Sequence, residues 1–449
     1  MKKILLLFML LSVCLSQAQT QEEYKQLLQR VELLEAEVKE EKAAEKEESR
    51  LTIGGYGEMT MSRHFYSDAW QRYAFPSKYA NDGSYGRFDI PHAVFYIGYD
   101  FGRGWSFGSE IEFEHGGVGS TIEIEEEETG EYESEIEQGG EVVLEQFWIN
   151  KSWSEALNLK MGHIMVPVGF TNKYHLPNQY FGVFRPEGDS QILPTAWHQT
   201  GVSFWGRSGS WSYEAMFIAG LDADRFSPEN WISGSSNTPY EFKIANNYAG
   251  AFSLDNRSIK NLTLGLSGYY GHSADNTLNS YGYSTTSQGA ILIGAFDATY
   301  TPKDFILRGG VIYGTLGDTY AISYGNSGAT NGSPTPSKPA VGSAAMSIGV
   351  EAGYNVFGFC DNLANKDQKL YAFGRYEYYD SMYKTVSGVP DYAYWERECV
   401  SIGLNYSPIP EITIKAEYQM RNLVDPTYND ENTLALGVTW AGFFTKRKR

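Results

Sequence analysis

Residues 412–420 read Ile-Thr-Ile-Lys-Ala-Glu-Tyr-Gln-Met. Ile412, Ile414, Ala416, Tyr418 and Met420 share one parity; Thr413, Lys415, Glu417 and Gln419 share the other. Successive side chains of a strand point to opposite faces, so this is a strand with one apolar face and one polar, charged face. The same pattern recurs at 105–114, where Trp105, Phe107, Ile111 and Phe113 oppose Glu110, Glu112 and Glu114. It recurs at 305–314, with Leu307, Val311 and Tyr313 against Arg308, and at Leu434, Leu436, Val438 and Trp440.

Working outward from these segments, the spacing predicts strands near 51–61, 93–101, 105–114, 141–151, 157–166, 199–206, 211–219 and 247–254. Further strands fall near 261–270, 289–300, 304–314, 345–355, 369–379, 398–407, 411–420 and 433–441. The stretch 141–151 is the least regular, because Val142, Val143 and Leu144 do not alternate. The connections alternate between short ones, such as 102–104 and 408–410, and long ones, such as 62–92, 115–140 and 167–198. Short turns on one side, long loops on the other and an even strand number define a transmembrane β-barrel of the outer-membrane kind. The expected fold is therefore all-β, a 16-stranded antiparallel transmembrane β-barrel over 51–449, preceded by a short helical coiled-coil segment.

Composition agrees. The 449 residues include 33 Tyr, 24 Phe, 10 Trp and 47 Gly, an aromatic content that disordered chains lack. Beyond the N-terminus no apolar run approaches the ~20 residues of a spanning helix. The balance of 36 Lys+Arg against 55 Asp+Glu gives a net charge of −19, which argues against a nucleic-acid partner. Trp105, Trp211, Tyr300, Phe305, Tyr406 and Trp440 sit near strand ends, where interfacial aromatic girdles belong.

Lys2 and Lys3, the apolar run Ile4–Leu11 and Ser16-Gln17-Ala18 read as a secretory signal cut after Ala18, giving a leader over 1–18. Cutting there removes Cys14 and leaves Cys360 and Cys399. They fall at opposite ends of the barrel, so no disulfide is expected. In the segment 19–50, Tyr24, Leu27, Val31, Leu34 and Val38 follow spacings of three and four, the seam of a short coiled coil. This coil belongs in the periplasm. The tail Lys446–Arg449 reads as a solvated periplasmic end.

A barrel of this size can hold an aqueous lumen, so the expectation is a diffusion pore whose chemistry lies in what narrows it. The third long connection, 167–198, is the candidate constriction. It carries Pro167, Pro177, Pro186 and Pro194, and it mixes Tyr180, Phe181, Phe184 and Trp197 with Lys173, His175, Arg185, Glu187 and Asp189. Folding into the lumen buries those rings and places the charges in the pore. The strand positions assigned to the lumen add Lys160, Arg308, Arg375 and Lys415 among cations. They add Glu58, Asp100, Glu110, Glu112, Glu114, Glu214, Asp297, Glu351, Glu377 and Glu417 among acids. The second loop contributes an acidic rim that includes Glu125, Glu126, Glu127 and Glu128. Such a rim enriches cations at a pore mouth. Lys173, Arg185, Arg308 and Arg375 are the candidates for a local anion step beneath it.

Several segments resemble the phosphate-selective porin O and P family in the form common among Bacteroidetes-like bacteria. They are Gly54-Gly-Tyr-Gly-Glu58, Arg87-Phe-Asp-Ile-Pro-His-Ala-Val-Phe-Tyr-Ile-Gly-Tyr-Asp-Phe101 and Gly162-His-Ile-Met-Val-Pro-Val-Gly-Phe170. Tyr371-Ala-Phe-Gly-Arg-Tyr-Glu-Tyr-Tyr-Asp380 and Ile414-Lys-Ala-Glu-Tyr418 complete the set. The resemblance implies a homotrimeric, 16-stranded outer-membrane porin in contact with outer-membrane lipid, with a periplasmic coil in some members. It also implies anion selectivity from lumen arginines and lysines. The excess of lumen acids here departs from that pattern. The alternatives are a sugar-selective channel, or a surface-binding barrel using the low-complexity loop at 315–344. An enzyme is not expected, because the seven His (64, 92, 115, 163, 175, 198 and 272) lie in no nucleophile motif. Neither a cofactor nor a bound metal is expected; a Ca²⁺ site at His115 beside the acidic loop ranks below a solvated acidic face.

Overall fold

The computed structural model describes residues 30, 50–83, 85–117, 120–126, 132–138, 140–235, 245–274, 276, 288–328, 340–359, 368–425 and 430–445. The leader, the coil apart from positions 30 and 50, Glu127, Glu128, Cys360 and the tail after 445 lie outside the described residues.

Sixteen long strands form the barrel. They are β1 (Leu51–His64), β2 (His92–Gly102), β3 (Trp105–Glu114), β4 (Val142–Ser152), β5 (Asn158–Met165) and β6 (His198–Ser208). Next come β7 (Trp211–Ala219), β8 (Tyr248–Asn256), β9 (Leu262–His272), β10 (Ala290–Tyr300) and β11 (Phe305–Leu316). The last five are β12 (Ala344–Asn355), β13 (Lys369–Lys384), β14 (Glu396–Ile409), β15 (Ile412–Leu423) and β16 (Glu431–Phe443). Each pairs with the next, and β16 pairs antiparallel with β1, from Gly54 opposite Phe443 to His64 opposite Thr433. That pairing removes the open edge that lipid cannot solvate. A short strand not anticipated from sequence, Tyr85–Asp89, pairs with Thr60–His64 and brings the hydrogen-bonded sheet to 17 strands. The acidic second connection carries its own two-stranded hairpin, Ser120–Glu126 with Tyr132–Gln138. Glu125 and Glu126 end its first strand.

The two faces separate as the alternation requires. Leu436 and Ile414 are 48 % and 46 % exposed on the outer face, whereas Lys415 and Glu417 are 1 % and 2 % exposed on the inner one. Among the described residues no helix is long and apolar enough to cross a membrane.

The irregular segment at 142–146 has a physical cause. Glu110 pairs with Gln146, but Ile111 pairs with Leu144, so Glu145 is an extra residue in β4. A bulge of this kind re-aims a side chain. Here it keeps Leu144 and Phe147 exposed on the outer face while Glu145 is fully buried. The period-two reading fails at 142–146 because the strand itself breaks period there.

A charge on the outer face at mid-height has no partner in hydrocarbon. Leu436→Arg should lower barrel stability by about 2–4 kcal/mol, the cost of an arginine near the bilayer midplane. Urea unfolding in lipid vesicles measures it.

Candidate functional site

The third long connection, 166–197, leaves β5 and returns in β6. It contains two short helical turns, α1 (Phe170–Lys173) and α2 (Glu187–Ile192). Wall side chains of the inward parity hold its backbone. Lys415 Nζ donates to the carbonyls of Tyr180 (3.1 Å), Gly182 (2.8 Å) and Pro177. Glu417 Oε2 accepts the Val183 N–H at 2.8 Å, and Glu377 Oε1 accepts the Gly188 N–H at 3.0 Å. Asn405 Nδ2 donates to the Phe181 carbonyl at 3.0 Å, and Ser267 Oγ accepts from Gly169 N–H at 3.1 Å. The connection therefore runs inside the barrel, across β9 and β12–β15. Close approach depends on small residues in the wall. A Cβ at Gly353 would stand 2.3 Å from the Phe181 ring, which stacks on Phe373 at 5.5 Å.

The two sides of the lumen differ. Toward β7–β12 it is packed with apolar groups. Ile192, Leu193 and Trp197 of the third connection join Leu221, Phe226, Trp231 and Ile232 of the fourth against Ile218, Ile291, Ile293 and Ile312. Trp231 Nε1 donates to the Gly342 carbonyl at 2.9 Å and locks the fourth connection in place. Toward β1–β4 and the outer ends of β15 and β16 a cavity of about 570 Å³ remains. Its lining includes Glu58, His92, Glu112, Glu114, Glu141, Arg185, Glu187 and Arg421.

The candidate cations are engaged with carboxylates. Lys173 Nζ meets Asp297 at 2.5 Å and Asp255 at 3.2 Å. Arg308 meets Glu351 at 2.5 Å, donates to the Gln179 carbonyl and lies over the Phe181 ring. Arg375 reaches Glu377 and Glu417 at 2.8 Å each and Glu351 at 3.5 Å. Glu351 is thus shared by Arg308 and Arg375, its cross-strand neighbours on both sides. Lys173 sits with a different set of acids. Burial opposes the charge on Arg185, but Tyr180, Tyr56, Glu58 and Glu145 surround it and keep it a cation. So Arg308 and Arg375 come together, while Lys173 and Arg185 belong to other carboxylate groups.

Glu187 ties the connection to residues the sequence reading did not single out. It pairs with Arg421, whose second partner is Glu431. Glu431 in turn meets Arg72 and, at 3.7 Å, Arg397. Arg421 was findable: it continues the inward series Lys415, Glu417, Gln419 by one step. Burial disfavours the charge on Glu187, yet Arg421 and Arg397 hold its carboxyl below the usual range. Burial pushes Asp189 up to about 6, against weak hydrogen bonds from Thr171. Burial, helped by Arg185, brings His175 down to about 4, so its ring is neutral near pH 7. His115 pairs with Asp89 at 2.8 Å.

A closed antiparallel barrel with an apolar outer face, short turns at one end and long connections at the other is a transmembrane barrel of outer-membrane type. Comparison with solved structures bears on the fold. The chain is similar to OmpF of Salmonella typhi, solved with daunomycin, at a TM-score of 0.51 and 9 % identity, over 88 % of this chain and 98 % of that one. It is also similar to an anion-selective porin from Comamonas acidovorans, at a TM-score of 0.49 and 9 % identity over 87 % and 99 % of the two chains. No protein-family profile matches the chain. Among curated proteins it is 26 % identical over 396 residues to an uncharacterized protein of Aquifex aeolicus (strain VF5), covering 87 % of this chain and 79 % of that one. The likeness to OmpF shows the fold alone.

Two outcomes follow from the geometry. Removing one partner of a buried charge group leaves the others uncompensated, at a cost of about 3–5 kcal/mol. Arg375→Met should lose that much in urea unfolding, and its open-channel current should become noisier as the third connection loosens. Asp189 titrates near 6 when folded and near ~3.9 when unfolded. The folded state therefore binds its proton more tightly. That contribution is complete below about pH 4 and is lost as pH rises through 6. Tm should fall between pH 4.5 and 7, and Asp189→Asn should flatten that part of the profile.

Proposed function

We propose that this protein is an outer-membrane porin, a passive, non-enzymatic channel for small hydrophilic solutes and ions, with a preference for cations. The observation that carries the preference is the pairing of the lumen cations. Lys173, Arg308 and Arg375 each lie against at least one carboxylate, and Lys415 is spent on backbone carbonyls. Charges neutralised in this way contribute little field to the passage. The cavity beside the third connection, in contrast, is lined by Glu58, Glu112, Glu114, Glu141 and Glu187 against Arg185 and Arg421. A surplus of one sign in a narrow cleft enriches its counter-ion. The 167–198 connection acts as the constriction in this reading, and the protein works as a homotrimer with its N-terminal coil in the periplasm.

A second reading, a sugar-directed channel, is favoured by one feature. A further cavity of about 670 Å³ is lined by Tyr73, Tyr392, Tyr394 and Trp395 beside Arg72, Arg397 and Arg421. Tyr73 stacks on Tyr394 at 4.7 Å, and Tyr394 stacks on Tyr392 at 5.5 Å. Flat rings flanked by charged hydrogen-bonding groups suit a solute with both an apolar face and hydroxyls. The phosphate-directed reading suggested by the sequence resemblance needs free cations in the passage, whereas Arg421 is paired with Glu187 and Glu431, and Glu58 and Glu145 act on Arg185.

The test is the reversal potential in a planar bilayer under a KCl gradient, followed by titration with phosphate and with maltodextrins. Cation-side reversal without phosphate block supports the main reading. Anion-side reversal with phosphate block replaces it with the phosphate-directed one. Block by maltodextrin that disappears in Tyr394→Ala assigns the aromatic cavity to sugars.

A further inference from the structure

The bulge in β4 delivers Glu145 to a place that strand alternation alone would not fill. Its side chain is fully buried. Oε2 accepts a hydrogen bond from the Tyr56 hydroxyl at 3.3 Å, while Oε1 finds no hydrogen-bond partner among the described residues. Glu110, on the inward face of β3, lies beside it. From the third connection comes His175, whose ring meets Tyr56 edge-on with centroids 6.0 Å apart. Both nitrogens of His175 are buried; the Asn172 backbone acts on the ring without a well-formed hydrogen bond, and among the described residues no side chain hydrogen-bonds either nitrogen. Glu110, Glu145 and His175 each offer a ligand atom, and these atoms lie within 4.8 Å of one another.

Two carboxylates set side by side in a buried site cannot both remain ionised unless a cation stands between them. Arg185 acts on Glu145 and Lys160 on Glu110, but Glu110, Glu112 and Glu145 act on one another with like charge, so three carboxylates face two cations. We infer that Glu110, Glu145 and His175 form a binding site for a divalent first-row transition-metal ion that fastens the third connection to β3 and β4. The donor set selects the metal class. One imidazole nitrogen with two carboxylate oxygens suits Zn²⁺ and its neighbours, whereas Ca²⁺ and Mg²⁺ favour oxygen alone. Bonds of about 2.0–2.2 Å draw the three atoms closer than they stand here, within the reach of side-chain torsions. Outer partners that orient the ligands are already in place. Gln146 Nε2 donates to Glu110 Oε2 at 2.5 Å, and Tyr56 donates to Glu145.

A neighbouring trio, His92, Glu112 and Glu114, provides an internal control. There His92 Nδ1 already meets Glu112 at 2.7 Å, so the imidazole is committed within the group.

The experiment is equilibrium dialysis of the folded full-length protein in detergent against ZnCl₂, with the bound metal counted by mass spectrometry. The expected result is one saturable Zn²⁺ per chain. Glu145→Gln and His175→Ala should each weaken it by at least about 10-fold, the lower end of what even outer-shell changes cost. His92→Ala should leave it unchanged. Heat-modifiable gel mobility confirms that each variant is folded, and His175→Ala, in a loop, carries the test if Glu145→Gln does not fold. Absence of saturable Zn²⁺ on the parent protein overturns the inference and leaves a shared proton as the neutralising group. Binding that survives both variants, or that only His92→Ala abolishes, overturns it as well. A cation-selective pore with no Zn²⁺ site, or the reverse, separates this inference from the channel reading.

Discussion

Hydrocarbon offers a backbone amide no partner, so a sheet that crosses a membrane has to meet every N–H and C=O from within. In this protein that requirement is discharged where β16 pairs with β1. Much else depends on that closure. It fixes an outside, which faces lipid and takes Leu436, Val438 and Ile414, and an inside, which takes the alternate residues. The inner set is rich in charge because nothing on that face has to enter lipid. It becomes demanding only when the third connection folds into the lumen and takes away its water.

Burial then changes what the inner charges do. A carboxylate or guanidinium removed from water costs several kcal/mol unless a partner of opposite sign and further hydrogen bonds surround it. Glu351 between Arg308 and Arg375, and Glu417 between Arg375 and the loop backbone, are arrangements of that kind. They hold the loop to the wall, and in doing so they cease to act as free charges in the passage. A count of lumen arginines is therefore a poor guide to selectivity. The charged groups left facing the cavity set its field, and most of those are acids.

The strands were legible because their signal is local. Ile412–Met420 states its own alternation, and the neighbouring strands repeat it within a residue or a few at each end. The packing of the lumen was not legible, because it depends on register between distant strands. Nothing near Arg375 in sequence says that Glu351 and Glu417 will meet it. Glu145 was hidden for a different reason: a bulge breaks the very period by which inward residues are recognised. Arg397 and Arg421 were within reach by extending the inward parity along β14 and β15. The fourth connection gave no warning that Trp231 would turn inward, since a loop tryptophan reads equally as a girdle or a surface residue.

The lopsided lumen follows from the order of residues in one loop. Over 177–187 the third connection is held by its backbone carbonyls and N–H groups and by Glu187, which meet Lys415, Glu417 and Arg421; over 192–197 it is apolar and meets Ile218 and Ile291. Its C-terminal part can be buried only against an apolar surface, and the fourth connection supplies one in Leu221, Phe226 and Trp231. The stretch whose backbone groups face the wall can rest only where the wall carries charge to satisfy them. Together these preferences pin the loop off-centre and leave a cavity along β1–β4. That is also the wall on which Glu58, Glu110, Glu112, Glu114 and Glu145 are gathered. The side kept open is thus the side whose acids most need solvent or a cation.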